Sequence, residues 1–152
     1  MIRTILKGAF LLLAVALVVG KLNVLRPVKA QSGCSVQSMT GSYTYLLNGS
    51  YFDSQNNEYG YSSSGHLIAD GNGHFSGSET TDDGATLIEN DQFTGTYTIN
   101  NDCSGTALFN LVHDNAVNVD MNLTNNGKVI NLIETDDGSQ VVGTAQQQFP
   151  NP

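Results

Sequence analysis

Strict two-residue alternation constrains this chain more than any other feature. In Phe93-Thr94-Gly95-Thr96-Tyr97-Thr98-Ile99 the apolar residues hold the odd positions and three threonines the even ones. Val117-Asn118-Val119-Asp120-Met121-Asn122-Leu123 repeats the pattern, with Asn, Asp and Asn facing away from the apolar set. A period of two places one face of a strand in a core and the other in water, as in an antiparallel sheet. Threonine on the wet face raises β-propensity without adding apolar surface. No segment after Gln31 sustains apolar residues at i, i+3, i+4 and i+7, so helix is incidental here.

Between these runs stand clusters of Gly, Asn and Asp, residues that tolerate the positive φ of tight turns. Asp70-Gly71-Asn72-Gly73, Asn100-Asn101-Asp102, Asn125-Asn126-Gly127 and Asp136-Asp137-Gly138 are the clearest. Strands are expected at 40–47, 62–69, 74–81, 86–90 with 93–99, 105–112, 116–123, 128–135 and 140–147. The fourth is read as one bent strand. Eight strands joined mostly by hairpins favour an up-and-down antiparallel barrel, whose closure removes exposed edges. The alternative is a two-sheet β-sandwich, because strand count alone does not fix closure. The barrel domain is placed at 40–147, preceded by a lead 31–39 and followed by a tail 148–152.

Charge is divided unevenly along the chain. Arg3, Lys7, Lys21, Arg26 and Lys29 precede residue 30, and only Lys128 follows, whereas all fourteen acids come later. The part after residue 30 therefore has a formal charge of +1 − 14 = −13. Such a surface repels phosphate backbones and anionic lipid, which argues against nucleic-acid partners and peripheral membrane binding. Arg3 and Lys7 flank the apolar run 9–19, which has the length of a signal-peptide core and falls short of the roughly 20 residues of a membrane span. Val28-Lys29-Ala30 offers small residues for cleavage before Gln31, giving a signal peptide at 1–30 and a secreted or periplasmic product. The alternative is an uncleaved N-terminal anchor extended through 22–25. Gln31-Ser32-Gly33-Cys34 has the small residues of a lipoprotein signal, but Gln31 stands where that signal has Leu.

Export gives meaning to Cys34 and Cys103, the only cysteines. An oxidising compartment favours their pairing as a disulfide. The loop closed spans about 69 residues, for which chain entropy suggests on the order of 4 kcal/mol of stabilisation. Two buried free thiols are the alternative.

The stretch His74-Phe75-Ser76-Gly77-Ser78-Glu79-Thr80, the strand 93–100 and the segment Asp102-Cys103-Ser104-Gly105-Thr106-Ala107 together resemble a family of small exported bacterial proteins described as allene-oxide-cyclase barrel-like. That pattern also has an early cysteine before a Gly-x-Tyr strand, here Cys34 and Gly41-Ser42-Tyr43. Its terminal Val-x-Gly-x-Ala strand corresponds to Val141-Val142-Gly143-Thr144-Ala145. The resemblance spans roughly 34–147 and is most specific around Cys103. It implies an eight-stranded antiparallel barrel of calycin type, lipocalin-like in shape, with a cavity able to hold something. It implies no activity. The plant cyclases isomerise an unstable fatty-acid epoxide inside their barrel, and none of their catalytic residues is carried over to this chain.

Glu79 shares strand parity with Phe75, and Glu134 shares it with Ile130 and Leu132, so both are candidate catalytic carboxylates facing a barrel interior. Burial in an apolar cavity raises a carboxylate's pKa and suits it to acid–base work. The alternative is that both lie near strand ends and reach water; the last strands also carry apolar residues on both faces, leaving the parity at Glu134 open. Tyr43, Tyr45, Phe93 and Tyr97 are candidate ligand-lining residues, and equally candidate core.

His66, His74 and His113 are expected at the surface rather than on a metal. With Ala69 paired to His74, His66 and His74 face opposite ways; shifting the register by one puts them on one face, about 13 Å apart at strand rise. Zinc needs both nitrogens about 2 Å from one ion. The acidic turns lack the spacing of an EF-hand, since His74 stands where the third oxygen donor belongs. Asn48-Gly49-Ser50 and Asn122-Leu123-Thr124 are glycosylation sequons, meaningful only in a eukaryotic host. No Gly-x-Ser-x-Gly elbow, Walker loop, Cys-x-x-Cys or His-Glu-x-x-His occurs. The sequence points to no cofactor. Its leading reading is an exported, non-enzymatic β-barrel module binding a small apolar ligand. The alternatives are an isomerase- or cyclase-like enzyme using Glu79 or Glu134, and a structural or interaction domain without ligand.

Overall fold

The computed structural model describes residues 33–113 and 116–149. The expected signal segment 1–30 lies outside the described residues. Eight strands follow a short 3-10 turn at Val36–Ser38: β1 Thr40–Phe52, β2 Glu58–Asp70, β3 His74–Asp82, β4 Leu87–Ile99, β5 Ser104–Leu111, β6 Ala116–Thr124, β7 Val129–Glu134 and β8 Val142–Phe149. Each strand pairs antiparallel with its chain neighbours, and β8 returns to pair with β1. The sheet is a closed barrel, so the sandwich alternative is set aside.

The alternation in the sequence is the inside–outside alternation of the wall. Tyr43 and Tyr45 of β1, Phe75 of β3, Phe93 and Tyr97 of β4, and Met121 and Leu123 of β6 are all buried, and all at odd positions. In β7 the inward set is even, Ile130 and Leu132, after a 3-10 turn at Asn125–Gly127. That resolves the parity left open there: Glu134 is on the inner side. The threonines of β4 face solvent.

Four expectations change in detail. β1 and β2 each run thirteen residues, because 48–52 and 58–61 continue the ladder through Gly49 and Gly60, which read as turn residues in the sequence. The fourth strand is continuous, and its bend is a β-bulge: pairing passes from Glu79↔Asp91 to Thr81↔Ile88, so β4 holds one extra residue, with Asn90 at φ 54°. β8 extends to Phe149, two residues into the expected tail. At the β2–β3 hairpin Ala69 pairs with Phe75, not His74, so Phe75 turns inward and His74 joins His66 on the exposed outer face.

The core is aromatic. Phe75 lies 4.6 Å from Phe109 and 6.1 Å from Phe93, centroid to centroid, and Phe93 lies 5.3 Å from Phe109. Cross-strand glycines make room for these rings. Phe75 pairs with Gly95, where an added Cβ would stand 2.1 Å from the ring.

The two barrel ends are built differently. At one end the lead segment forms a plug. Cys34 is disulfide-bonded to Cys103, their Cα atoms 4.9 Å apart. That bond occupies the thiol a lipid anchor would need. Met39 is buried, and its carbonyl accepts a 2.6 Å hydrogen bond from the Tyr97 hydroxyl. The Tyr43 hydroxyl donates to the Gly127 carbonyl at 2.8 Å. The opposite end carries the loops β1–β2, β3–β4, β5–β6 and β7–β8, and the polar interior described next.

Candidate functional site

Four residues at one level of the wall set up the site. Tyr45 of β1 pairs with Gly65 of β2, Gly65 with Glu79 of β3, and Glu79 with Asp91 of β4. Gly65 has no side chain to obstruct the inner face, so the Tyr45 ring lies across it; a Cβ there would stand 2.6 Å from the phenolic oxygen. The phenol thereby reaches Glu79, donating to Oε2 at 2.6 Å. Ser63, one inward position along β2, donates to the same oxygen at 2.6 Å. Glu79 is 7% exposed, so it faces the interior rather than water. Buried carboxylates survive where donors replace water, and these two hydroxyls do so.

Two phenols respond to this setting. The Tyr45 hydroxyl is pushed far above its ordinary pKa by burial and then by the Glu79 carboxylate. Tyr61, also on the inner side of β2, is pushed up by burial, then by Glu79 and more weakly by Glu134, with the nearby Thr81 and Ser63 hydroxyls opposing. Both are therefore neutral hydrogen-bond donors at any physiological pH, not bases. Thr81 flanks this group, and its Oγ1 is buried without a well-formed hydrogen bond among the described residues.

These side chains enclose a cavity just inside the loop end. Tyr45, Tyr61, Phe109, Glu79 and Glu134 line it, and the remaining wall is aliphatic, from Leu47, Leu111, Val117, Val119, Leu132 and Val141. Leu47, Tyr61, Leu111, Val117 and Glu134 are only half-buried, so this rim keeps contact with solvent. The cavity volume is about 30 Å³, a tenth of where drug-sized pockets begin. It has room for roughly two waters or one small head group. The roomy interior implied by the family resemblance is therefore reduced, because the aromatic cluster fills the barrel's middle.

Of the four candidate lining residues, Tyr45 alone borders the cavity. Tyr43, Phe93 and Tyr97 belong to the core, and Tyr43 is fully buried at the plugged end. Both candidate carboxylates line the cavity.

Sequence reasoning missed Asp91, which is 4% exposed and presents Oδ1 to His113 Nδ1 at 2.6 Å. Its signal was parity with Phe93 and Tyr97, but residues 91–92 fell between the two pieces, 86–90 and 93–99, of the expected fourth strand. His113, expected as a plain surface residue, is 66% exposed yet tied by that contact. The turn acids use their oxygens locally. Asp70 Oδ1 accepts from the Asn72 and His74 amides at 2.7 and 3.0 Å, and those bonds hold its carboxyl below the ordinary range. Asp83 Oδ1 likewise accepts from the Ala85 and Thr86 amides. Among the described residues no group of three or more His, Cys, Asp or Glu side chains is placed to hold a metal ion. No family model, curated protein or solved structure matches the chain.

Proposed function

We propose that this chain is an exported, non-enzymatic β-barrel module that receives a small ligand at the loop end of its barrel. The observation that carries the reading is the cavity, apolar for most of its wall, with Glu79 fixed at its base by Tyr45 and Ser63. Small-molecule sites combine an apolar wall with a few placed polar groups in this way. Export is supported by the basic–apolar N-terminus and by the Cys34–Cys103 disulfide. The resemblance to exported barrel-like bacterial proteins supports the same assignment. The 30 Å³ volume restricts the bound part to a few heavy atoms, so a fatty-acid-sized guest does not fit inside.

The test is a methyl-NMR titration of the protein with one- to six-carbon probes, neutral and charged. Saturable shifts are expected at Leu47, Leu111 and Val117, and filling the cavity with Val117→Trp should abolish them. If no probe gives saturable shifts, the module is structural or an interaction domain.

The inward, hydrogen-bonded Glu79 favours a second reading, an isomerase- or cyclase-like enzyme. Proton transfer would then need a substrate atom within about 3 Å of that carboxylate. Turnover abolished by Glu79→Gln and unaffected by Glu134→Gln would support it; a probe bound but never converted would not.

A further inference from the structure

The cavity combines three features. Tyr45, Tyr61 and Phe109 contribute rings, Glu79 and Glu134 contribute carboxylates, and no basic residue lines it. Lys128, the one base after residue 30, lies at the plugged end, in the turn before β7. The imidazole of His113 is engaged by Asp91 outside the lining.

Each class of guest can be weighed against this wall. An anion would meet two carboxylates and no donor stronger than a hydroxyl, within a domain of formal charge −13. A neutral apolar guest would cover the Glu79 carboxylate without offering it a hydrogen bond or an opposite charge, which is costly for a buried carboxylate. A cation with a short apolar stem answers all three features. Its charge sits against the carboxylates, its N–H or N–CH groups lie over the ring faces, and its stem meets the aliphatic wall. The cavity is the size of one such head group. The acidic surface would also concentrate cations near the rim.

We infer that the loop-end cavity is a site for a small organic cation, an alkylammonium held between Glu79, Glu134 and the rings of Tyr45, Tyr61 and Phe109. This deepens the binding-module reading and rests on it.

The test uses the full chain, produced under oxidising export, and the pair n-butylammonium chloride and 1-butanol. They share a stem and differ in charge. At low salt the ammonium should bind about ten-fold or more tightly than the alcohol. Glu79→Gln should weaken the ammonium about ten-fold while leaving the alcohol within about two-fold. Glu134→Gln, at the half-buried rim, should act in the same direction and provides the readout if Glu79→Gln fails to fold. Glu89→Gln, exposed on the outer face of β4, should change neither. Equal affinity for the two probes would overturn the cation assignment and leave the binding module standing. Loss of ammonium binding in Glu89→Gln as great as in Glu79→Gln would show diffuse surface attraction and overturn it too. Saturable binding of neither probe would remove both readings together.

Discussion

The two ends of this barrel solve the same problem, capping a closed sheet, with opposite chemistry. At the plugged end, buried phenols donate to backbone carbonyls: Tyr97 to Met39 and Tyr43 to Gly127. A disulfide holds the lead in place. The two phenols there are matched by neutral backbone carbonyls, and among the described residues no buried carboxylate lies beside them. At the loop end the phenols are the buried Tyr45 and the half-buried Tyr61, but these face carboxylates, and a cavity remains beside them. The plugged end is thus finished as structure. The loop end retains charge and space, which a purely structural cap does not require.

Alkali should break this symmetry with the largest effect. All four phenols are raised above their ordinary pKa, chiefly by burial, but Tyr45 and Tyr61 rise furthest because Glu79 adds to it. A folded pKa above the unfolded one gives stability that is intact below about pH 10 and lost as pH rises through the folded value. The barrel should therefore unfold in alkali. Tyr43 and Tyr97 should ionise first, so the plugged end loosens before the loop end. Phenolate absorbance, with ring NMR signals assigned to each tyrosine, would show the order. Ionisation of Tyr45 before Tyr97 would contradict the comparison.

Removing the disulfide is the next largest change. The pair closes a separation of 69 residues, and Cys34→Ala with Cys103→Ala should cost about 4 kcal/mol in urea unfolding. Cys103 sits at φ 72°, so the turn Asn100–Ser104 also loses the bond that holds a left-handed backbone. The effect should stay at its own end, leaving the native Tyr45 signals unmoved. A cost below about 1 kcal/mol would mean that the plug is held by its hydrogen bonds alone.

Gly65→Ala addresses the loop end in the same way. The new Cβ would stand 2.6 Å from both the Tyr45 phenol and the Ser78 carbonyl oxygen, and a backbone oxygen cannot move aside. The phenol should leave Glu79, at a cost of about 1–3 kcal/mol, and probe binding should weaken with it. Stability lost with binding retained would separate the tyrosine from the site.

How much of this was legible follows residue by residue. Parity in the sequence places Tyr45, Glu79 and Phe93 inside, because a strand with a period of two leaves no third direction. The same parity holds for Ser63, within the expected strand 62–69, and for Tyr61 and Asp91, which fall outside the expected strands. Gly60 and Asn48-Gly49 look like turn residues, which hides the lower halves of β1 and β2. Asp91 sits in the gap between the expected pieces 86–90 and 93–99, and the bulge at Asn90 changes the phase only of the residues before it. Glu134 needed the turn at Asn125–Gly127 to set the phase of β7. The cavity's volume depends on how deeply Phe75, Phe93 and Phe109 interlock. That is a property of rings meeting across the barrel and has no one-dimensional trace.

Salt gives the smallest effect and tests what the two ends share. With one base against fourteen acids after residue 30, the domain has more repulsion than attraction between charges. The Debye length falls to about 10 Å at 0.1 M salt, which screens exposed turn acids such as Asp70 and Asp102 from distant ones. It does little for Glu79 and Asp91, which are buried. The melting temperature should therefore rise by about 2–4 °C between low and moderate ionic strength. Glu89→Gln, which removes an exposed charge, should reduce that rise, whereas Glu79→Gln should change it less, because that carboxylate is largely covered and already holds hydrogen bonds from Tyr45 and Ser63. A salt response that vanished with Glu79→Gln would mean that ions enter the cavity. The loop end would then be open to small cations even before any organic guest is offered.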